Sequence, residues 1–547
     1  MRYFDCCCEV GPRTEKDPLA PWTAADVLRW MDRCGISAAL VTHTLAMQGN
    51  VYESRRRLKE DTAAAPGRFF PVWTVVPPDA RDTDEDGDGE KLLAEMAAEG
   101  VRAVKLFPRT HNYPMTAAVL APMLKPLEEG RILTLIDANE LPAGPDGAYA
   151  AMDAMLTLAP DLPVVLQRIT WGLQRVVTAL MNRHRNLRVE FSFYQINRGI
   201  EQYAQWYGPE RLLFGTGLPA MSAGAARCFL DYANIPARDK ALVAGGNLAA
   251  LLGGVELAGV ELAEVELAEM AIPDDPLIAA AAAGRPLAGE VLDAHCHVLP
   301  EGRDSSGSYV MYRGDADGLL ELNDHMGVRA STLISWTGPL ACDTVDGNEV
   351  VSRALRRHSG RFYGLIHIDP VHLSREELLA EIHCRLKEPG WVGLKPYPTS
   401  GLAYDHALFE PCWRIANQHG LMVLAHTGGR AGPTSTIGKL AGAYPDAQWV
   451  IAHSGGSFAT AREVVGVMKE WPNVWAELTL TPVTNGVIEW MAGQVGDDRI
   501  LFGTDAPMRD PRPQLGWVVW ADLPQASRRK ILGGNFRRLL GMRKPSL

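Results

Sequence analysis

The residues best suited to do chemistry in this sequence are the group Asp293-Ala294-His295-Cys296-His297, together with His426, His453 and Asp505. The group closes the apolar run EVLDAHCHV. In an extended strand, residues two apart project from the same face, so His295 and His297 share one face while Cys296 points away. Two imidazoles side by side at a strand end can grip one metal ion. Alone, the pair reads equally well as two surface histidines. Three further polar residues repeat the placement: His426 follows LMVLA, His453 follows WVIA, and Asp505 follows RILFGT. A lone strand-end histidine is more often a satisfied structural residue. Several of them in one parallel barrel converge, because the carboxyl ends of the strands form its active-site face.

The elements that would position them are legible as short apolar runs. The first half carries ILTLI, PVVL, LRVEF and RLLFG, and the second carries TLIS, YGLIHI, VGLK, MVLAH, WVIAH, VWAEL and RILFG. Helix-like stretches lie between them, as at 374–387 and 406–419. Strands alternating with helices imply βαβ units and a parallel sheet. The order is also written twice. Asp5 matches Asp293, Lys105 matches Lys395, Asp137 matches His426, Glu190 matches Glu477, Gly217 matches Asp505 and Asn247 matches Asn535, at offsets of 287 to 290. An ordered set at a near-constant offset signals duplication. Each half has the size of one (β/α)8 barrel, about 250 residues. The expected architecture is therefore α/β, two tandem distorted (β/α)8 TIM barrels, over 1–254 and 290–547. Between them, 255–289 reads as a linker, with a VELAG-VELAE-VELAE repeat followed by an Ala-rich, Pro/Gly-punctuated stretch.

Composition narrows the function. Of 547 residues, 54 are Lys or Arg and 65 are Asp or Glu, a net charge of −11. A nucleic-acid binder would need a basic patch, and no Lys/Arg block is present. No apolar run is long enough to span a membrane, and the N-terminus has no apolar signal core. Nine irregularly spaced cysteines do not form a disulfide framework, so a cytoplasmic protein is expected. The acidic stretch 81–90 places Asp82, Asp84, Asp86 and Gly87 at calcium-loop spacing, but its twelfth position is Leu93, which favours a solvated loop.

The constellation of the second half resembles the amidohydrolase superfamily, and within it the amidohydrolase-2 branch of aminocarboxymuconate-semialdehyde decarboxylase-like enzymes. The carriers are DAHCHV, NEVVSRALRRHSGRFYGLIHIDP, GLKPYP, LAHTGG, YPDAQWVIAHSGG, DRILFGTDAP and ILGGNFRRLLG. The resemblance spans essentially all of 290–547 and is specific to the branch, not to a substrate. It implies one divalent metal, usually zinc, per chain. It makes His295, His297, His426 and Asp505 its ligands and His453 the catalytic histidine. Three neutral imidazoles and a carboxylate suit zinc and leave a position for water, whose pKa the ion lowers toward 7. Asp505 could ligate and also take the water's proton, and His453 could orient the water or polarise a substrate carbonyl. Lys395 lies at a strand-4 end, where binuclear members of the superfamily carry a carboxylated lysine bridging two metals, but the resembled branch is typically mononuclear and its lysine need not be carboxylated. Lys105 stands at the same place among no histidines, which favours a structural or substrate-contact role. Arg430 is a candidate for pairing with a substrate carboxylate. Glu477 and Trp336 also lie near strand ends, and the match of Glu190 to Glu477 favours a structural reading.

In the first half, His295 and His297 align with Cys7 and Glu9, His426 with Asp137, His453 with about Gln167, and Asp505 with Gly217. That half is expected to be a pseudo-enzyme. Cys7, Glu9 and Asp137 are the residues from which a different metal site would have to be built, and a pseudo-enzyme is the expected reading. GTGLPA, which fits a loose nucleotide-loop pattern, is better read as a degenerate metal-ligand loop. The expected function is a metal-dependent hydrolase acting on a C–N or C–O bond of a small-molecule substrate. A non-oxidative decarboxylase or hydratase with the same metal site is the first alternative, and a non-catalytic binding protein the second. The two barrels are expected to form an intramolecular pseudo-dimer, and a further homo-oligomer is left open.

Overall fold

The computed structural model describes residues 1–12, 20–48, 50–81, 89–257, 265–302, 310–341 and 343–544. The chain divides into two compact units, Met1–Pro273 and Asp274–Leu547. The boundary falls inside the stretch 255–289. Ala268 is tied to the first unit through the Ser37 hydroxyl (2.6 Å), and the helix Pro276–Ala282 belongs to the second. The calcium-like residues Asp82, Asp84, Asp86 and Gly87 lie outside the described residues.

The first unit is an eight-stranded sheet in sequential order: β1 Tyr3–Val10, β2 Ile36–His43, β3 Phe69–Thr74, β4 Ala103–Leu106, β5 Leu133–Asp137, β6 Val164–Gln167, β7 Leu187–Glu190 and β8 Leu212–Leu213. The second unit repeats the order: β9 Leu292–Val298, β10 Ala330–Ser335, β11 Phe362–Ile368, β12 Trp391–Pro396, β13 Met422–Ala425, β14 Gln448–Ile451, β15 Val474–Leu478 and β16 Ile500–Phe502. Paired neighbours are parallel throughout. Helices interleave with the strands, so both faces of each sheet are covered and the strands read as near-continuous apolar runs. All seven residues of β9 are buried. Leu292, Ala294, Leu424, Val450, Trp475 and Leu501 share one core with Phe536 and Leu539 of the last helix. These are two tandem (β/α)8 barrels.

The chain after the eighth strand closes each barrel onto the first. Glu9 N–H reaches the Leu218 carbonyl at 2.8 Å and Cys6 N–H reaches Phe214 at 2.9 Å. In the second barrel, Thr504 and Asp505 N–H both reach the His295 carbonyl (3.0 and 2.8 Å), and His297 N–H reaches Ala506 (2.5 Å). The stretch 374–387 is the helix Arg375–Lys387, with Ser374 and Glu377 forming a capping box. The stretch 406–419 splits into a single turn, Ala407–Phe409, and the helix Glu410–His419. Pro411 sits in the first turn of that helix, where its missing N–H costs nothing. The described cysteines are all free thiols, buried except for Cys384. Among the described residues, no helix is long and apolar enough to cross a membrane.

Candidate metal centre

The sequence places its polar residues at strand ends, and the backbone gathers most of them. His295 and His297 stand on β9, fully buried. Asp293, two residues earlier, anchors them. Its carboxylate accepts the His295 N–H (3.0 Å), the Thr504 N–H (3.0 Å) and the Thr504 hydroxyl (2.7 Å), which locks β9 to the turn after β16. That turn carries Asp505 in the left-handed region, φ 55°. Its Oδ1 lies 3.3 Å from His297 Nε2 and 3.6 Å from His295 Nε2.

The ring of His295 is oriented by Glu477 on β15. Glu477 Oε2 accepts from His295 Nδ1 (3.1 Å), the backbone N–H of His453 (3.2 Å) and the Thr479 hydroxyl (3.1 Å). With Nδ1 committed, the His295 Nε2 lone pair faces Asp505. The Thr479 oxygen also accepts from His453 Nδ1 at 2.5 Å, which leaves His453 Nε2 as an acceptor, 2.8 Å from His426 Nε2. His453 follows β14 with φ 60°. Two non-glycine residues in a sparsely populated backbone region at one site are held there by their surroundings.

The electrostatics favour neutral imidazoles. Burial and then the Lys395 charge hold His295 well below the ordinary range; burial and His453 do the same for His426. His453 is lowered to about 4, chiefly by burial. Burial works against ionised Asp505, but the His297 hydrogen bond and the Arg509 charge hold its carboxyl well below its usual value. Lys395 is fully buried on β12, with Nζ 3.4 Å from His295 Nε2, and burial lowers it to about 8.

This donor set fits a divalent ion. Two ligands each about 2.1 Å from a tetrahedral ion sit about 3.4 Å apart, and the Asp505–imidazole separations are 3.3 and 3.6 Å. Among the described residues, His295, His297 and Asp505 form one group of donors lying within 4.8 Å of one another; His295, His453 and Glu477 form the other. His426 belongs to neither. Its ring is 4.3 Å from His453 and 6.4 Å from His295, and its Nδ1 and that of His297 are buried without a hydrogen-bond partner among the described residues. Among the described residues no contact brings Arg430 to the cluster, and it stands exposed in the turn Gly429–Ala431. Trp336 packs edge-on to His297 (5.3 Å) and Tyr397 edge-on to His426 (5.1 Å), so apolar walls flank the donors. His367, another strand-end histidine, takes the bland role. Its Nδ1 meets the Thr344 hydroxyl at 3.1 Å and its N–H meets Asn348.

Two residues carry more than the sequence suggested. Glu477, read there as structural, sits at the centre of the hydrogen-bond web. Arg509 donates to Asp505 Oδ2 at 2.6 Å and is buried. The signals available were the retained Glu190–Glu477 match and the four-residue spacing from Asp505, which lets Arg509 fold back in one turn.

The first barrel keeps the scaffold and changes the donors. Asp5 accepts from Thr216 and from Cys7 N–H as Asp293 does from Thr504 and His295. Glu190 accepts from Ser192 as Glu477 does from Thr479. The counterpart of His453 is Arg168, one residue beyond Gln167. Arg168 has the same left-handed backbone, φ 50°, and its N–H donates to Glu190 at 2.6 Å. Strand pairing ends at Gln167, so the alignment shifts by one there. Where an ion would sit, the barrel holds ion pairs. Arg168 is 2.7 Å from Glu9 and 3.8 Å from Asp137, and Lys105 is 2.8 Å from Asp137. Among the described residues, Cys7, Glu9 and Asp137 do not form a three-donor group. The GTGLPA loop is folded onto Asp5 through Thr216, and every residue of the following helix, Ala223–Asp231, is buried. Its N-terminus therefore does not face solvent as a phosphate cradle would.

Comparison with solved structures finds a dihydroxybenzoic acid decarboxylase from Polaromonas sp. JS666 with bound manganese. It is 18% identical, with a TM-score of 0.38 over 46% of this chain and 97% of that one. An uncharacterized TIM-barrel protein from Bordetella bronchiseptica is 19% identical, with a TM-score of 0.37 over 46% and 99%. A 5-carboxyvanillate decarboxylase from Sphingomonas paucimobilis is 13% identical, with a TM-score of 0.35 over 46% and 99%. No curated protein matches the chain. The amidohydrolase family model Amidohydro_2 matches residues 32–254 and again 292–542, once per barrel, and the chain belongs to that family.

Proposed function

We propose that the second barrel is a metal-dependent hydrolase acting on a C–N or C–O bond of a small molecule, and that the first is a pseudo-enzyme. The observation that carries this is the spacing of His295 Nε2, His297 Nε2 and Asp505 Oδ1, with the His295 tautomer set by Glu477. His295, His297 and Asp505 would hold one divalent ion, zinc by the preference of a nitrogen-rich, low-coordinate set, with His426 beside them. Such an ion polarises a substrate carbonyl and lowers the pKa of water.

The chain's own residues divide the remaining work. His453 has Nδ1–H held by Thr479 and its Nε2 lone pair against His426 Nε2 at 2.8 Å. Once substrate or water displaces the His426 contact, it can take a proton from the water and return it to the leaving group. Asp505 is less suited to that task than the sequence suggests, since Arg509 occupies its Oδ2. The buried Lys395 cation stands beside His295, where it can stabilise negative charge developing on a substrate oxygen. Trp336 and Tyr397, edge-on to His297 and His426, form the apolar walls of the centre.

Metal content tests the reading. Protein purified without added metal is expected to hold one divalent ion per chain. His295→Ala and Asp505→Ala should lose it, and Cys7→Ala should keep it. A wild-type chain that binds no ion on reconstitution would overturn the proposal. If the ion is present but turnover of unsaturated or aromatic acids releases CO2, the decarboxylase reading replaces the hydrolase.

A further inference from the structure

We propose that Arg509 tunes which divalent ion the second barrel accepts, by withdrawing one oxygen of Asp505 from coordination. The inference rests on the metal reading above.

A carboxylate can bind an ion through one oxygen or through both. Asp505 is held so that its two oxygens have different partners. Oδ1 faces the imidazoles of His295 and His297 at 3.6 and 3.3 Å. Oδ2 accepts from Arg509 Nη1 at 2.6 Å. The guanidinium is itself fixed, because Nε donates to the Thr481 hydroxyl at 3.2 Å and the side chain is buried. Rotating Asp505 to present both oxygens to an ion would break a charge-assisted hydrogen bond in a buried site.

The turn does not itself require an arginine. In the first barrel the same turn runs from Gly217 to Met221, with Met221 N–H on the Gly217 carbonyl at 3.1 Å; in the second, Arg509 N–H meets the Asp505 carbonyl at 3.3 Å. The guanidinium stands where the aspartate stands and is absent where the aspartate is absent. Its position therefore answers to the carboxylate and not to the fold of the loop.

A single carboxylate oxygen beside imidazoles keeps the donor count low. Zinc is satisfied by four ligands, whereas manganese favours six and a larger share of oxygen. Freeing Oδ2 adds an oxygen donor and so helps manganese more than zinc. Arg509 is a positioning residue, acting through Asp505.

The test compares Zn²⁺ and Mn²⁺ affinities, by competition with a chromophoric chelator, for the wild-type chain, Arg509→Met and Arg509→Lys. Both ions carry the same charge, so removing the guanidinium charge moves both affinities alike. Their ratio isolates the coordination effect. Arg509→Met is expected to lower the Zn²⁺/Mn²⁺ preference at least about tenfold, with Arg509→Lys between it and wild type. If both affinities shift together, or neither moves, the inference is overturned. Should Arg509→Met fail to fold, Arg509→Lys decides: a Zn²⁺/Mn²⁺ ratio equal to wild type overturns it too. A wild type that binds neither ion fails the metal reading itself, and this inference with it.

Discussion

A Glu477→Gln chain is expected to bind its metal roughly 10–100-fold more weakly than wild type, the range found when a residue that orients a metal-binding histidine is lost. The substitution is nearly isosteric, so the effect arises from hydrogen bonding. Glu477 Oε2 accepts from His295 Nδ1, the His453 N–H and the Thr479 hydroxyl. Burial pushes this carboxyl well above its usual range, but in either protonation state Oε2 serves as the acceptor. Oε1 has no partner among the described residues and lies against Gly503, where an added Cβ would come within 2.1 Å of it. A glutamine must place its NH2 at one of these two positions. At Oε2 it meets three donors and forces His295 to move its proton to Nε2, which removes the lone pair that faces Asp505. At Oε1 it buries two unpaired N–H groups, at about 1–3 kcal/mol. Isothermal titration with Zn²⁺ checks the expectation, and Glu190→Gln in the first barrel supplies the control. Glu190 has the equivalent bonds, to Arg168 and Ser192, yet serves no donor group, so the chain should keep its metal affinity. Wild-type affinity in Glu477→Gln would show that the web does not set the ring.

Glu477 also marks the limit of what the sequence shows. The barrels are legible because a buried parallel strand has to be an apolar run, and because the run ends where a polar residue can meet the pocket, as at His426, His453 and Asp505. Strand position fixes where a Cα lies, however, and not where a ring points. His426 sits one imidazole away from the donor trio, although its strand end is as good as the others. Glu477 lies inside the apolar run VWAEL and matches Glu190, so the repeat argues for scaffold. It is scaffold, and in the second barrel that scaffold orients the His295 ring. Arg168 was hidden by one residue of register, because the strand ends before it and a left-handed residue follows. Arg509 shows no periodicity, and only the turn after β16 brings it back to Asp505.

The second large effect lies in the first barrel. Lys105 and Asp137 face each other at 2.8 Å, each side chain 3% exposed. Burial, the largest influence, lowers Lys105, yet the Asp137 charge together with the smaller contributions of Cys7 and Glu9 outweighs it and leaves the ammonium above its ordinary value. Arg168 bridges Asp137 to Glu9. Two cations and two carboxylates thus neutralise one another without a metal. Removing one member strands a buried charge, and breaking such a pair costs about 3–5 kcal/mol. Lys105→Met is expected to destabilise the first barrel by that amount, with Asp137 left to Arg168 at 3.8 Å. The double variant Lys105→Met, Asp137→Leu should recover most of the loss, because replacing both members with apolar side chains of similar volume is often near neutral. The chain has two units, so denaturation must be followed as two transitions. Added Zn²⁺ should raise only the transition of the barrel that binds it, and the ion-pair variants should move only the other. Near-equal stability of Lys105→Met and wild type would mean that the ion pairs do not stand in for the missing ion. A first barrel that instead gained stability from Zn²⁺ would mean that its donors have not been lost.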